Sequence, residues 1–539
     1  MKFNSYTLIL CAIFVFVLAG CAGEKKGASE NEAQQSKLVV AVSKDINDMN
    51  PHLYPGSMFA QGMVYESLVE NTTQGIQPLL AESWDISEDG TVYTFRLRKD
   101  VVFHDGEPFN AEAVKLNMEA VQRNGERHAW IKLSTKLKEI VAEDEYTLRL
   151  VLSEPYYPTL LELSMTRPYV FLSPKDFVNG ETKDGVAGHH GTGPYQLKEH
   201  VTEQYAVFTA NERYWGGAPT IKEITTKVMP AGETTLLALQ KGEIDLIFTD
   251  DRGADSIDVE SMQRLADEGD YQIVRSEPMN TKMIVANSGN ADSPISELAV
   301  RQALWHLIDR ELISNSIFQG TESPAETLFS ANVNYANVSL DKRGYDPAKA
   351  VELLRGAGWQ AEGDALRKKN DRSLAMKLYY DANSPTQKTQ AEWLQSEARK
   401  VGMQLDLIGE ESSSIASRRS TGEYELMFNQ TWGLAYDPQS TVSAFAAGSS
   451  YLNATKGIAD AQQLYDWIEA VMVSRDEESR QDLYSSIFRK VHEEAIFIPL
   501  TNGRVTVLAP SALSGISFKQ TQFELPFERM QLLASAEGK

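Results

Sequence analysis

Cysteine is nearly absent from this chain of 539 residues: only Cys11 and Cys21 occur, both within the first 21 positions. The remainder of the chain has no residue that forms a disulfide or supplies a thiolate. Disulfide scaffolds, zinc–thiolate sites, iron–sulfur clusters and cysteine nucleophiles are therefore excluded from the body of the protein.

Positive charge is also scarce, with 52 Lys and Arg against 75 Asp and Glu and a formal net charge of -23. Such an acidic chain repels phosphate at long range, so we expect no nucleic-acid partner. Hydrophobic residues make up 42% and aromatic residues 9%, which is enough for a globular core. At about 100–200 residues per domain, the length allows three or four domains or two large lobes.

Long apolar runs are missing beyond the N-terminus. The run from Tyr6 to Leu18 follows Lys2 and is shorter than the roughly 20 residues of a membrane span, so it predicts a signal peptide over residues 1–20. It ends in Leu18-Ala19-Gly20-Cys21, which resembles a bacterial lipobox. We expect a lipid on Cys21 and an extracytoplasmic protein; the alternative is an ordinary secretory signal with an accidental cysteine.

Residues 21–36 are predicted to be a flexible tether between the lipid and the folded body. Positions 22–36 contain no aromatic or β-branched residue, so this stretch has little to bury. The membrane contact predicted for the mature protein is through the lipid alone.

Common catalytic motifs are lacking as well, since the chain has no GxxxxGK[ST], GxSxG or HExxH sequence. None of the eight histidines pair at the helical spacing of a metal site. The adjacent His189 and His190 point in different directions and predict a turn before Gly191 rather than a metal site. We predict a protein that is not an enzyme; the alternative is an exported hydrolase whose catalytic residues are distant in sequence.

The apolar periodicity predicts an α/β fold. Tyr93, Phe95 and Leu97 alternate with polar residues as in a half-buried strand, and Asn110 can cap a helix that Asn124-Gly125 ends. One long helix is expected over residues 296–318, and another starts at Asp346-Pro347. Further elements are expected at 38–42, 146–152, 374–380, 386–400, 403–408 and 423–430. This order favours parallel or mixed sheets covered by helices, with ligands beyond the carboxyl ends of strands.

Several sequence motifs, taken together, indicate a protein family. They are Tyr93-Thr-Phe-Arg-Leu-Arg98, Val102-Phe-His-Asp-Gly-Glu-Pro-Phe109, Gly191-Thr-Gly-Pro-Tyr195, Asn211-Glu-Arg-Tyr-Trp215, Lys241-Gly-Glu-Ile-Asp-Leu246, Val300-Arg-Gln-Ala-Leu304 and Tyr345-Asp-Pro347. In this order they resemble the large solute-binding proteins of peptide and nickel ABC importers, from about residue 37 to residue 530. Asn50-Pro-His-Leu-Tyr54, Arg127-His-Ala-Trp130, Arg167-Pro168 and Thr431-Trp-Gly433 are closest to the nickel-binding branch.

The resemblance implies a two-lobed periplasmic-binding-protein fold with mixed sheets and a cleft between hinged lobes. Lobe I is expected at 37–276 and 500–539, with an extra subdomain, and lobe II at 277–499. The implied function is capture of a nickel–chelator complex by a monomer that delivers it to the permease of an ABC importer. The alternative is a di- or oligopeptide-binding protein on the same scaffold.

The resemblance also implies the site. Arg127 and Arg167 are expected to hold carboxylates of the chelator, because a guanidinium matches a carboxylate in a two-pronged geometry. The expected pocket lining consists of Tyr54, Met58, Trp130, Trp432 and Tyr436.

One departure from the family concerns the metal. Some nickel binders have a metal-ligating histidine about 14 residues beyond the pocket tyrosine, where this chain has Ser450, and no histidine occurs from 307 to 491. The expectation is therefore that no protein residue binds the ion and that Ser450 and Asn453 hydrogen-bond the chelator. The chelator would then satisfy Ni²⁺ by itself; the alternative is a different metal, Co²⁺ or Zn²⁺. No resident cofactor is expected.

Overall fold

A computed structural model describes residues 36–229, 232–249, 259–361, 365–432, 437–446, 448–519, 521 and 523–533. The predicted signal peptide, Cys21 and nearly all of the predicted tether lie outside these residues. The largest sheet in the described part is mixed and has seven strands. Its strands, in spatial order, are Tyr195–Val201, Tyr205–Ala210, Glu223–Val228, Lys37–Val42, Leu246–Thr249, Thr506–Pro510 and Tyr271–Arg275.

A second mixed sheet has six strands. In spatial order they are Ser323–Pro324, Phe497–Gly503, Asn280–Ala286, Leu426–Gln430, Ala375–Asp381 and Gln404–Glu410. Both faces of this sheet are covered: Met283 and Val285 belong to one apolar cluster, whereas Ile284 and Ala286 belong to another. This alternation follows from the two-residue period of a strand. The two mixed sheets confirm the predicted α/β class.

A four-stranded antiparallel sheet consists of Ala81–Ile86, Val92–Leu97, Thr147–Leu152 and Leu137–Asp144. Helix Ala111–Arg123 packs on it, and the side chain of Asn110 accepts a hydrogen bond from the backbone N–H of Ala113, as predicted for a cap. The chain then continues directly into the short helix Gly125–His128. This sheet and helix together place the segment that contains Arg127 and Trp130.

The remaining elements are short sheets and covering helices. The two-stranded sheets pair Val69–Thr72 with Gly75–Pro78, Phe177–Val178 with Glu181–Val186, Lys368–Lys369 with Arg372–Ser373, and Leu513–Ser514 with Gln531–Leu532. The other α-helices are Met58–Val64, Lys132–Lys136, Thr159–Leu163, Gly232–Gln240, Val259–Asp267, Leu298–Trp305, Arg310–Leu312, Pro347–Gly356, Pro385–Lys400, Ser412–Thr421, Gln439–Ser443, Leu452–Thr455, Ala461–Val473 and Glu477–Glu493. Among the described residues, none of the helices combines the length and apolar content that a bilayer crossing requires.

The long helix predicted over residues 296–318 is wrong. A helix covers Leu298–Trp305, and a second, irregular helical segment begins at Arg310. The side chain of Asp309 accepts from the N–H of Leu312 and starts the second segment. Leu307 and Ile308 are both buried at the break. They continue the apolar spacing without continuing the helix.

The chain passes between the two large sheets twice, at residues 276–279 and at 504–505. The two passages are bonded to each other, since the N–H of Ser276 donates to the carbonyl of Val505 (2.9 Å) and the N–H of Met279 donates to that of Gly503 (2.9 Å). The predicted lobe boundary at residue 500 falls inside strand Phe497–Gly503. We therefore propose 504–505 as the second boundary between the lobes.

Candidate ligand-binding site

Tyr54 is the hydrogen-bonding centre of the predicted site. Its hydroxyl accepts from Nε1 of Trp130 (2.7 Å) and donates to Nδ1 of His128 (2.5 Å). The Tyr54 ring lies edge-on to both partners, with centroid distances of 5.5 Å to His128 and 5.7 Å to Trp130. Burial raises the pKa of Tyr54 to about 12, so the phenol keeps the proton that it donates.

His128 is a buried, neutral imidazole. Burial, assisted by the positive charge of Arg127, lowers the pKa of His128 to about 4. Since Nδ1 accepts from Tyr54, the ring proton is on Nε2, which has no hydrogen-bond partner. His128 lies inside the motif Arg127-His-Ala-Trp130, but nothing in the sequence predicts a role for it.

The structure brings Arg127 and Arg167 together. The guanidinium carbons lie 5.8 Å and 5.2 Å, respectively, from the centre of the Tyr54 ring. Nη1 of Arg167 also donates to the carbonyls of Tyr54 (3.2 Å) and Gly56 (2.8 Å), which fixes the loop that contains the tyrosine. Arg127 is exposed and has no ion-pair partner among the described residues.

The local helix explains how this segment divides its side chains. Arg127 is in the last turn of Gly125–His128 and Trp130 follows two residues after the helix ends, and both side chains contact the Tyr54 ring. His128 lies one position on and turns into the core. A single turn therefore presents a cation and an indole to the cleft while it buries the imidazole that holds Tyr54.

Two cavities adjoin this group of side chains. The first, here the Tyr54 cavity, has a volume of about 180 Å³, and its lining includes Tyr54, Met58 and Arg167. Lys44 and Asp45 also line it, but Asp45 pairs with Nε2 of His200 at 2.9 Å. The Tyr54 cavity thus combines a thioether, an aromatic ring and positive charge.

The second cavity, here the serine cavity, has a volume of about 370 Å³. Trp130 and Trp432 form one wall, with ring centroids 5.4 Å apart and exposed fractions of 40% and 38%. The opposite walls are rich in hydroxyl groups, from Ser440, Ser443, Ser449 and Ser450. The hydrogen bond from Trp130 to Tyr54 joins the two cavities along a shared wall.

A buried carboxylate lies beside the serine cavity. Oε1 of Glu162 accepts from the Tyr156 hydroxyl (2.6 Å) and from Nε2 of Gln439 (3.1 Å), and Oε2 accepts from the N–H of Leu133 (2.8 Å). Burial raises the pKa of Glu162 to about 7. Glu162 and Gln439 come from the two sides of the cleft, and neither was expected from the sequence, where no motif marks them.

One predicted residue lies away from the site, and another falls outside the described residues. The amide oxygen of Asn453 accepts from Nζ of Lys456 (2.7 Å), and its side chain lies against Gly422, outside both cavities. Tyr436 lies in the segment 433–436, outside the described residues.

Histidines near the first sheet pair with carboxylates instead of forming a metal centre. Nδ1 of His190 lies 2.8 Å from Asp176, and the neighbouring His189 ring lies 3.4 Å from the Tyr65 hydroxyl. Within the described ranges, no group of three or more His, Cys, Asp and Glu side chains is arranged to hold a metal ion. Met58 lines the Tyr54 cavity and Ser450 lines the serine cavity. Ser450 stands at the position where the family resemblance would place a metal-ligating histidine.

Similarity to known proteins covers nearly the whole chain. The family model of the bacterial extracellular solute-binding proteins, family 5 middle, matches residues 75–453. The chain is 37% identical over 521 residues to the nickel-binding periplasmic protein of Escherichia coli K12, covering 96% of this chain and 98% of that protein. It is 27% identical to the dipeptide-binding protein of the same organism, covering 86% and 88%.

Among solved structures, NikA from Brucella suis in complex with Fe(III)-EDTA is 40% identical to this chain. The two superpose with a TM-score of 0.88, covering 92% of this chain and 99% of that one.

Proposed function

Because the chain belongs to the bacterial extracellular solute-binding proteins of family 5, we propose that it captures an anionic metal–chelator complex and delivers it to the permease of an ABC importer. The predicted two-lobed α/β family fold is confirmed. Nickel is the proposed cargo metal, with cobalt and zinc as the competing ions. The protein performs no covalent chemistry in this proposal and works as a monomer.

One observation carries the proposal: two guanidinium groups lie against the ring of Tyr54, a residue that lines the Tyr54 cavity. A guanidinium fork fits a carboxylate with two parallel hydrogen bonds. Arg127 has no ionic partner among the described residues, so its fork is available to a ligand. The Brucella suis protein forms a complex with Fe(III)-EDTA, and EDTA is a polycarboxylate chelator.

Charge explains why the cations lie inside the cleft. The chain has a formal net charge of -23, so its overall field repels an anionic chelate. Attraction must come from local positive groups at short range, where the effective dielectric constant is lower than in water. Each charged contact to a carboxylate is worth about 1.5–3 kcal/mol.

The metal is proposed to reach the protein fully coordinated. A serine hydroxyl is a poor ligand for Ni²⁺ compared with imidazole. We propose that Ser450 hydrogen-bonds the chelator and that the chelator supplies all metal ligands. Asn453 has no place in this proposal, because its amide oxygen accepts a hydrogen bond from Lys456 outside both cavities.

Attachment and location complete the proposal. We propose that residues 1–20 are removed and that a lipid on Cys21 holds the mature protein at the outer face of the cell membrane. The tether of residues 21–36 would let the folded body reach the permease. The name of the Escherichia coli relative places that protein in the periplasm, which supports an extracytoplasmic location here.

A peptide-binding function is the second candidate. The dipeptide-binding relative covers most of the chain, and Glu162 offers an acidic group beside the serine cavity. A peptide amine needs such a group, and its backbone needs strand-like pairing. Calorimetry with a dipeptide mixture, compared with nickel chelates, separates the two candidates.

The Arg127→Gln variant tests the proposed function. We expect its affinity for a nickel–polycarboxylate chelate to fall at least tenfold in calorimetry, because the variant loses the fork that holds a carboxylate. The melting temperature should not change, since Arg127 bonds to no described residue that it would leave unpaired.

A matched control is Arg149→Gln, which removes an arginine whose ion pair with Glu143 lies on the surface. Unchanged affinity in Arg127→Gln contradicts the assigned role. Tight binding of dipeptides with no response to any metal chelate favours the second candidate.

A further inference from the structure

The serine cavity is large enough to bind a ligand group of its own. Its volume of about 370 Å³ is twice the roughly 180 Å³ of its neighbour. Pockets that bind small molecules measure about 300–1,000 Å³, a range that only the serine cavity enters by itself. Trp130 lines the serine cavity and donates to Tyr54, which lines the Tyr54 cavity together with Arg167, so this hydrogen-bonded pair connects the walls of the two cavities.

The lining of the serine cavity is prepared for hydrogen bonding. The hydroxyls of Ser449 and Ser450 make no hydrogen bond among the described residues. Ser440 and Ser443 each donate one bond, to the side-chain oxygen of Gln439 (3.2 Å) and to the carbonyl of Ser440 (3.1 Å), and retain their acceptor lone pairs. A hydrocarbon group placed there would displace water from these hydroxyls without replacing its bonds.

Charged groups at the edges of the cavity have both signs. Lys132 is exposed at the rim, and Glu162, whose oxygens accept hydrogen bonds from Tyr156, Gln439 and Leu133, is buried beside it. The cavity therefore suits neutral polar or zwitterionic groups better than a further block of carboxylates. Its indole wall, with both rings more than a third exposed, adds a surface on which a ligand chain can lie.

We propose that the serine cavity is a second chamber of the ligand site, and that it receives a hydrogen-bonding arm of the chelator, bearing hydroxyl or ammonium groups. The cargo is then a chelate with two distinct parts. A carboxylate head wraps the metal beside Arg127 and Arg167, and an arm extends past Trp130 and Trp432. This inference rests on the proposed function, because the arginines hold the head.

Two nickel chelates with the same head test the inference. One is Ni(II)–nitrilotriacetate, and the other is the Ni(II) complex of Nα,Nα-bis(carboxymethyl)-L-lysine, which adds an aminobutyl arm to that head. We expect calorimetry to give at least tenfold tighter binding of the armed chelate by the full mature chain. The measured quantity is the ratio of the two affinities. Because both chelates have the same head, a change in the binding of the head alters both affinities equally and leaves the ratio unchanged.

Variants that fill the serine cavity give a second test, because they should change the affinity ratio whatever its size in the wild-type protein. Ser443→Leu and Ser449→Leu should each reduce the ratio toward one, because leucine occupies the space of the arm. Ser417→Leu, at an exposed position of helix Ser412–Thr421, is the matched control and should keep the wild-type ratio. Melting curves verify that each variant is folded.

The outcomes separate the two levels of the proposal. Equal affinities for the two chelates, or a ratio that Ser443→Leu and Ser449→Leu leave intact, overturn the second chamber while metal-chelate capture stands. Failure of the wild-type protein to bind either nickel chelate overturns the proposed function itself.

Discussion

At the scale of single residues, the Tyr54 hydroxyl holds together groups that are distant in sequence. It accepts from Trp130 and donates to His128, while the tyrosine ring lies against both arginines. The positions of the Trp130 indole and of the buried His128 ring therefore depend on one oxygen atom.

Tyr54→Phe removes that oxygen and retains the ring. We expect the free energy of unfolding to fall by about 1–3 kcal/mol, because the buried His128 ring loses the one side-chain hydrogen bond that it makes among the described residues. Affinity for the nickel chelate should fall at least fivefold, since Trp130 is no longer held. Urea unfolding and calorimetry measure the two effects.

Tyr205→Phe is the control, because this tyrosine also bonds a side chain, Glu199, but on the surface. Equal losses in both variants would contradict a special role for Tyr54.

Much of this residue-scale site is predictable from the sequence. The family motifs identify Tyr54, Met58, Arg127, Trp130, Arg167 and Trp432. All of these except Arg127 line the two cavities, and Arg127 lies against the Tyr54 ring. Their roles toward a ligand remain predictions. Glu162 and Gln439 were missed because their meeting depends on how distant segments pack across the cleft, and no local pattern encodes that.

At the scale of elements, the Gly191-Thr-Gly-Pro-Tyr195 phrase has a packing explanation. A Cβ at Gly191 would lie 2.0 Å from the carbonyl oxygen of Val64, and one at Gly193 would lie 2.6 Å from that of Met63. The N–H of Gly193 donates to the Val64 carbonyl (2.9 Å). The glycines thus close on the end of helix Met58–Val64, whose first residue lines the Tyr54 cavity.

Gly191→Ala should destabilise the protein by about 1–3 kcal/mol, because backbone atoms at this contact must move apart. Urea unfolding measures the change. Gly344→Ala is the matched control: no atom lies within 4 Å of its added Cβ, and its backbone is not left-handed. If both variants lose the same stability, the close approach is not the cause.

Element boundaries were predictable where a cap coincides with the end of a periodic pattern. Helix Ala111–Arg123 begins after Asn110, and helix Pro347–Gly356 begins after Asp346, which accepts from the N–H of Lys349. The break after Trp305 was missed because burial of Leu307 and Ile308 maintains the apolar pattern across it. Tertiary packing overrode the local pattern there.

At the scale of the whole molecule, Glu162 links folding to pH across the cleft. The raised pKa means that the folded state retains a proton which the unfolded chain loses above pH 4.5. Stability therefore falls as pH rises from 4.5 to about 7, on the order of 3 kcal/mol for this group.

Glu162→Gln should flatten this slope. We expect the melting temperature of the wild type to drop more between pH 5 and pH 8 than that of the variant, because glutamine does not ionise. Glu66, whose pKa burial also raises to about 7, contributes equally to both proteins and cancels. Parallel curves for the two proteins would contradict the assignment.

The net charge of -23 gives a second prediction at this scale. Repulsion between the whole protein and an anionic chelate slows their encounter, and salt screens that repulsion. The association rate in stopped-flow experiments should therefore rise between about 20 and 200 mM salt. A falling rate would instead indicate a positively steered or cationic cargo.

The family and the α/β class were predictable at this scale, because ordered motifs extend over the whole body of the chain. The position at which the chain crosses between the two large sheets was harder to predict. The predicted boundary at residue 500 cut a strand whose seven residues are all buried. The end of that strand coincides with the turn dipeptide Asn502-Gly503, which is a better guide to the boundary than the apolar residues before it.

The contact between Trp130 and Trp432 also makes the molecule its own optical reporter. The two indoles come from opposite sides of the cleft and lie 5.4 Å apart, close enough for each to alter the emission of the other. Movement of one lobe against the other changes that coupling. Opening and closing can thus be followed by intrinsic fluorescence, without any attached dye.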